Sequence, residues 1–145
     1  MRALGLDLGS RRIGVAVSDR DGRVATPCEV VPRTKDAQQH RRKIAELVGE
    51  FEAEVVVVGL PISLDGTEGP AVREVRTEIE HLTPFVKVPV ETYDERFTTV
   101  TAHDQLAAAA VPGRKRRQMI DQVAAAVMLQ AWLDAQVAAD REGGQ

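Results

Sequence analysis

The chain has 145 residues, a formal net charge of −3 and one cysteine. That length suits one domain with its own core, and a single cysteine excludes an internal disulfide. No apolar run reaches the roughly 20 residues that a membrane helix requires, and the opening residues lack the pattern of a secretory signal, so we expect a cytoplasmic protein.

Three strands are predicted first. Residues 3–8 form a short apolar strand, and residues 12–18 alternate apolar and polar side chains. Asp and Gly at 19–22 favour a hairpin turn, and residues 23–31 return as a third strand. Pro27 cannot donate a ladder hydrogen bond, which puts the third strand at an edge or a bulge. These strands are expected to form an antiparallel meander.

The rest of the chain alternates helices and strands. An apolar stripe in 36–51 predicts a helix, and the β-branched run at 54–61 predicts a strand covered on both faces. Further on, the patterns predict a helix over 70–82, a strand over 85–93, a helix over 98–110, a long helix after Pro112 and Gly113 to about Ala138, and a disordered tail over 140–145. This order predicts one α/β domain over 1–139, with a mixed sheet and helices on both faces. Ligands of such sheets bind at the carboxyl ends of the parallel strands.

Three acidic residues stand where this topology would bring elements together. Asp7 lies in the first strand, Glu95 directly follows the last strand beside Asp94, and Asp121 lies in the long helix. A buried carboxylate is costly unless it is paired or bound to a metal. Each acid also has an ordinary interpretation, as a turn aspartate or as an acid near a helix N-terminus. Together, three carboxylates suit a hard divalent cation such as Mg²⁺, and two such ions can act on both oxygens of a phosphodiester.

Basic residues close to these acids are candidate contacts for substrate phosphate. Arg11 and Arg12 lie on the turn after Asp7, although a solvated hairpin would explain them equally well. Arg96 follows Glu95 and could instead neutralise one of the acids beside it.

A denser basic cluster precedes the third acid. Arg114, Lys115 and Arg116 come one to two helical turns before Asp121. A metal at Asp121 would put these cations beside the scissile phosphate, where we expect them to grip the nucleic acid. A solvated helix end is the alternative interpretation of such a cluster.

The sequence offers no competing site of another chemistry. His40, His81 and His103 are scattered on polar segments and are expected at the surface, and Cys28 stands alone. Neither a P-loop nor a G-x-S-x-G motif is present.

From about residue 3 to residue 134 the sequence resembles the YqgF/RuvX family of RNase H-like proteins, which are described as pre-16S rRNA nucleases or Holliday junction resolvases. The resemblance is carried by four segments in order, "DLGSRRIGVAVSD", "VVVGLPISLDGTEGP", "DERFTT" and "IDQVAAAVMLQAWL". It implies an RNase H-like mixed five-stranded sheet, with "LPISLDGTEG" as a loop beside the site.

The resemblance also implies the chemistry. Asp7, Glu95 and Asp121 would be the catalytic, metal-binding acids, with two Mg²⁺ or Mn²⁺ ions as cofactors. The expected activity is endonucleolytic cleavage of structured RNA in processing of the 5′ end of pre-16S rRNA, and a branched-DNA resolvase is the alternative. The protein would act as a monomer or homodimer and would have no membrane partner.

Two other function classes fit part of the sequence. An actin-like, phosphate-binding ATPase domain shares the Asp-x-Gly opening, but such proteins need two domains to clamp a nucleotide, and 145 residues hold one. A non-catalytic nucleic-acid-binding module would keep the acids for structure alone.

Overall fold

The computed structural model describes the backbone of residues 1–97 and 113–143 and the side chains of 1–97 and 119–141. The elements in these ranges are β1 (Ala3–Leu8), β2 (Arg12–Ser18), β3 (Ala25–Pro32), α1 (Ala37–Glu50), β4 (Val55–Leu60), α2 (Pro70–Val86), β5 (Val90–Asp94), a short 3₁₀ helix (Glu95–Phe97) and α3 (Gly113–Gly143). The helix predicted over 98–110 lies outside the described residues.

The five strands form one mixed sheet in the order β3-β2-β1-β4-β5. The β1–β2 and β2–β3 pairs are antiparallel, and β1–β4 and β4–β5 are parallel, which confirms the predicted meander and crossovers. Pro27 lies in the edge strand β3, next to a register shift opposite Val15 and Ala16. The parallel strands β1, β4 and β5 therefore end at one edge of the sheet.

Helices cover both faces of the sheet. One face packs on α1 and α2 through an aliphatic core that includes Leu4, Leu6, Ile44, Val58 and Leu82. The other face packs on α3 through a second core that includes Ala3, Ala16, Val57, Leu129 and Trp132. Since successive residues of a strand point to opposite faces, the alternation that turns Leu6 toward α1 and α2 turns Asp7 toward α3.

The boundary between α2 and β5 differs from the prediction. The strand predicted over 85–93 begins only at Val90, because α2 continues to Val86, which is buried in the first core. Lys87 then adopts a left-handed conformation with φ 58°, and its N–H donates to the carbonyl of Thr83. Such a left-handed residue ends a helix, so the apolar pattern before it belongs to the last helical turn rather than to a strand.

The C-terminal end of α3 also differs. The helix continues through residues 140–143, where the sequence predicted a disordered tail, and its last described side chains are exposed. Alanine-rich sequence favours the helix here, and Arg141 in the last turn complements the helix dipole. Within the described ranges, no helix combines the length and the apolar character needed to cross a membrane.

His40 is buried, which corrects the expectation that it lies at the surface. Its side chain is 1% exposed, and Nε2 lies 2.9 Å from Oε2 of Glu78 on α2. Arg41 donates to both oxygens of the same carboxylate, at 2.9 and 2.7 Å. These contacts join α1 to α2 across 37 and 38 residues of sequence, so the pattern of α1 alone could not predict them.

We expect Glu78→Gln to lower the free energy of unfolding by about 3 kcal/mol near pH 7, because it removes one member of a buried ion pair. Burial alone would raise the pKa of Glu78, but hydrogen bonds from Arg41 and His40 lower it from 4.5 to about 2. A carboxyl with a depressed pKa stabilises the fold above its unfolded pKa, and that stabilisation is lost as the pH falls from about 4.5 toward 2.

Urea unfolding near pH 7 and near pH 3 measures the effect. The difference between wild type and Glu78→Gln should shrink at the lower pH. Glu80→Gln, an exposed neighbour on α2, is the control and should change little. A pH-independent difference would contradict the assignment of this stabilisation to the ionised form of Glu78.

Candidate active site

Asp7 and Glu95 meet at the carboxyl edge of the sheet. Asp7 lies near the end of β1, and Glu95 directly follows β5. The two carboxyls are hydrogen-bonded to each other. Burial raises the pKa of Asp7 to about 6, and the charge of Asp121 adds to this shift. Burial and the charge of Asp7 raise the pKa of Glu95 to about 7. The fold thus crowds carboxyls where their negative charge is unfavourable.

Gly59 makes room for Glu95. It lies in β4 opposite Tyr93 of β5, and a Cβ atom at this position would lie 2.6 Å from Oε1 of Glu95. Any larger residue would therefore displace the acid. This role was not predicted, although a signal for it exists: a glycine interrupts the otherwise β-branched run of β4, and an interior glycine in a strand often marks a close approach.

Gly14 has the same role for Asp121. It pairs with Asp7 across β1 and β2, and a Cβ atom here would overlap the backbone carbonyl oxygen of Asp121. The backbone of α3 therefore packs directly against β2 beside Asp7. The buried alanines at 125 and 126 on α3 permit this approach, and the strands contribute Gly14 and Gly5 to it.

Arg12 holds the third acid. Its Nε donates to Oδ2 of Asp121 at 2.6 Å, and the two side chains are 36% and 22% exposed. Arg11 is exposed on the same turn. Arg11 and Arg12 were both predicted to contact substrate phosphate. In the structure, Arg12 is paired with the carboxylate of Asp121.

Arg96 binds Asp94 rather than Glu95. Its Nε and Nη2 donate to Oδ2 of Asp94 at 2.9 and 2.6 Å, and its backbone N–H donates to Oδ1. Arg96 offsets part of the charge of Asp94, whose remaining charge still contributes to the raised pKa of Glu95. Residues 114–116 lie in the first turns of α3, and their side chains fall outside the described residues.

The described acids are not arranged as a complete metal site. Across residues 1–97 and 119–141, no group of three or more His, Cys, Asp or Glu side chains is positioned to hold an ion. The carboxyls of Asp7 and Glu95 are hydrogen-bonded to each other, and Asp121 is bound by Arg12. The donor set nevertheless fits Mg²⁺, because it consists of carboxylate oxygens whose crowding a divalent cation would relieve.

Comparisons with known proteins show the family and agree with this fold. The family model RuvX, described as Holliday junction resolvase, matches residues 1–135. A protein of Mycobacterium sp. (strain KMS) is 49% identical over 147 residues, covering 99% of this chain and 87% of its own. A protein of Streptomyces coelicolor is 46% identical over 145 residues, covering 99% of this chain and 86% of its own. Both carry the name "Putative pre-16S rRNA nuclease".

A solved structure confirms the fold. RuvC of T. thermophilus, in complex with a Holliday junction substrate, superposes with a TM-score of 0.60 at 19% identity, and the match covers 95% of this chain and 96% of RuvC. The RNase H-like sheet predicted from the sequence is thus confirmed. Given the match over residues 1–135, the chain belongs to the RuvX (YqgF) family.

Proposed function

We propose that this chain is a divalent-metal-dependent nuclease that hydrolyses phosphodiester bonds of structured nucleic acid. One observation carries the proposal: Asp7 and Glu95 are hydrogen-bonded at the edge of the sheet, with Asp121 close enough to raise the pKa of Asp7. Two buried carboxyls with raised pKa values, beside a third carboxylate, are typical of a functional site rather than of a purely structural cluster. The family description and the names of the relatives support the same activity.

Asp7, Glu95 and Asp121 are the residues that would hold Mg²⁺ or Mn²⁺, with two ions as the expected number. When bound, such ions neutralise charge that develops on the phosphate oxygens and lower the pKa of water. The chain itself contributes the rigid positions of the acids. Gly14 and Gly59 let α3 and Glu95 pack closely, and Arg96 pairs with Asp94, the neighbouring carboxylate.

The proposed substrate is the precursor of 16S rRNA, because similar proteins of Mycobacterium and Streptomyces are named putative pre-16S rRNA nucleases. A four-way DNA junction is the second candidate, supported by the family description and the RuvC likeness. End-labelled precursor RNA and a labelled junction, each incubated with the protein and Mg²⁺ or Mn²⁺, decide between them. We expect cleavage of the RNA. Cleavage of the junction alone would favour the resolvase, and cleavage of neither would overturn the nuclease proposal.

We expect Arg12→Gln to bind Mn²⁺ several-fold more tightly than wild type in the absence of nucleic acid. Arg12 competes with a cation for Asp121, since its guanidinium lies 2.6 Å from the carboxylate. The same change should lower the free energy of unfolding by no more than about 1 kcal/mol, because the pair is partly exposed. Electron paramagnetic resonance of free Mn²⁺ gives the affinity directly.

Arg11→Gln is the matched control, because it removes the same charge from the same turn without touching Asp121. It should improve Mn²⁺ affinity much less. Equal affinities in the two variants would mean that the Arg12–Asp121 contact does not compete with metal.

Replacing Arg114, Lys115 and Arg116 with alanine should weaken nucleic-acid binding about equally for all sequences. The slope of log affinity against log salt concentration should become less steep by about 0.7–0.9 for each phosphate contact that is lost. The melting temperature should stay nearly unchanged. Arg20 and Arg23, in the turn at the opposite end of β2, provide a control pair for alanine substitution. Unchanged affinity with lower stability in the triple variant would show that the cluster is structural.

A further inference from the structure

A cleft of about 640 Å³ opens at the same edge of the sheet as the acids, but on the opposite face of β1. Leu8 and Gly9 at the end of β1, Pro61 after β4, and the first three turns of α2 line it. Leu8 faces the core under α1 and α2, whereas Asp7 faces α3. The cleft and the acidic cluster are therefore separated only by the end of one strand.

Arginines outnumber acids on the walls of this cleft. Arg33, Arg41 and Arg73 line it, together with two acids, Glu74 and Glu78. The negative charge of Glu78 is already compensated, because Arg41 donates to both of its oxygens and His40 lies 2.9 Å away. The formal charge of the lining residues is thus positive even with His81, also on the wall, in its neutral form.

Arg73 is the cation that the fold leaves uncommitted. Its side chain is exposed, and it forms no ion pair or side-chain hydrogen bond with the described part of the chain. Arg76, one turn further along α2, differs, because it donates two hydrogen bonds to Glu68 at 2.8 and 3.1 Å. An unpaired guanidinium that lines a cleft is available for an anion, whereas Arg76, which is outside the lining and paired with Glu68, is not.

The start of α2 adds to the positive potential. Its N-cap is Gly69, which supplies no capping side chain, and Ala71 in the first turn lines the cleft. The N-terminus of this 17-residue helix carries the positive end of its dipole. Peptide N–H groups at such an end suit phosphate oxygens.

Arg33 ties the cleft to the loop beside the acids. Its Nη1 donates to the carbonyl of Gly9 at 2.7 Å, and its backbone N–H donates to the carbonyl of Arg11 at 2.8 Å. Its Nη2 also lies 3.9 Å from Oε1 of Glu78, so Arg33 shapes the wall of the cleft and holds the loop in place. The cleft therefore adjoins the loop that follows Asp7, since Gly9 and Ser10 also line it.

On the basis of the nuclease function proposed above, we propose that this arginine cleft binds a backbone phosphate of the nucleic-acid substrate, with Arg73 as its principal contact. The nucleic acid then crosses the end of β1, with the bond to be cut at the acids and a neighbouring phosphate in the cleft. Contacts of this kind fix register and orientation without reading sequence. A free phosphate compound is the other source of the same anion.

The test compares Arg73→Ala with Arg76→Ala, measured as anisotropy of labelled precursor RNA over a salt series without divalent ions. Arg73→Ala should weaken binding several-fold and lower the salt slope by about 0.7–0.9, the amount for one phosphate contact. Arg76→Ala should leave both values unchanged. Equal salt slopes in the two variants would overturn the proposal.

Two further measurements distinguish a free anion from a backbone phosphate, and the cleft proposal from the nuclease proposal. First, inorganic phosphate and a nucleoside monophosphate are titrated into the protein by calorimetry. If either compound binds in a way that depends on Arg73 but does not compete with RNA, the cleft binds a free anion and the proposal is overturned. Cleavage by wild type is scored separately. If the salt slope depends on Arg73 but no RNA is cleaved, the phosphate-binding cleft is supported and the nuclease function is overturned. If RNA is cleaved but Arg73→Ala and Arg76→Ala have equal salt slopes, the nuclease function is supported and the phosphate-binding cleft is overturned.

Discussion

Asp7→Asn is expected to reduce phosphodiester cleavage by about 10³-fold or more, since it removes a ligand from a site that supplies several kcal/mol of transition-state stabilisation. The fold should survive, because asparagine has the same shape and can still pair with Glu95. Without metal, the melting temperature of the variant should equal or exceed that of wild type. Burial and the charge of Asp121 raise the pKa of Asp7 to about 6, so the charge of Asp7 opposes folding.

Single-turnover cleavage and thermal unfolding, measured on one preparation, test both halves of this result. Asp94→Asn is the matched control, because Asp94 lies at the same edge but is held by Arg96. It should cleave at nearly the wild-type rate. A cleanly purified Asp7→Asn protein that still turns over would rule out Asp7 as a catalytic ligand.

Gly14→Ala should both destabilise the protein and remove its activity. The added methyl group would occupy the position of the Asp121 carbonyl oxygen, so α3 must move away from β2. Forcing an extra carbon into packed backbone costs about 1–3 kcal/mol or more. Because α3 carries Asp121, the same displacement would pull the third acid away from Asp7 and Glu95.

Gly49→Ala on α1 supplies the comparison. A Cβ atom at Gly49 meets nothing within 4 Å, so this variant should gain about 0.5–1 kcal/mol from helix propensity. Urea unfolding and cleavage assays of both variants measure the contrast. A Gly14→Ala protein as stable and as active as wild type would show that the close approach of α3 to β2 is not needed.

The sheet was predictable because its patterns are local. The β-branched run of β4 indicated a strand buried on both faces, and Pro27 indicated an edge or bulge before any pairing was known. The end of α2 was not predictable in this way. Apolar residues before Lys87 suit a strand or a last helical turn equally, and only the left-handed backbone of Lys87 decides.

The sequence predicted which residues belong to the candidate site, but not which side chains pair with each other. Asp7 and Glu95 were singled out at strand ends, Asp121 in the long helix, and the resemblance to a family implied all three as metal-binding acids. The structure brings them to one edge. The partners of Arg12 and Arg96 depend on side-chain geometry: Arg12 meets Asp121 across 109 residues, and Arg96 selects Asp94 two residues away. His40 was misjudged for the same reason, since its partner Glu78 lies on another helix.

Metal-dependent cleavage by the three acids is tested with labelled precursor 16S RNA across a titration of Mg²⁺, with wild type, Asp7→Asn, Glu95→Gln and Asp121→Asn run in parallel. We predict that wild-type cleavage rises to saturation with Mg²⁺, stops on chelation and returns when Mg²⁺ is restored. Each of the three variants should bind the RNA and leave it intact. Cleavage that continues in the presence of chelator, or that survives in any of the three variants, would contradict a nuclease built on these acids.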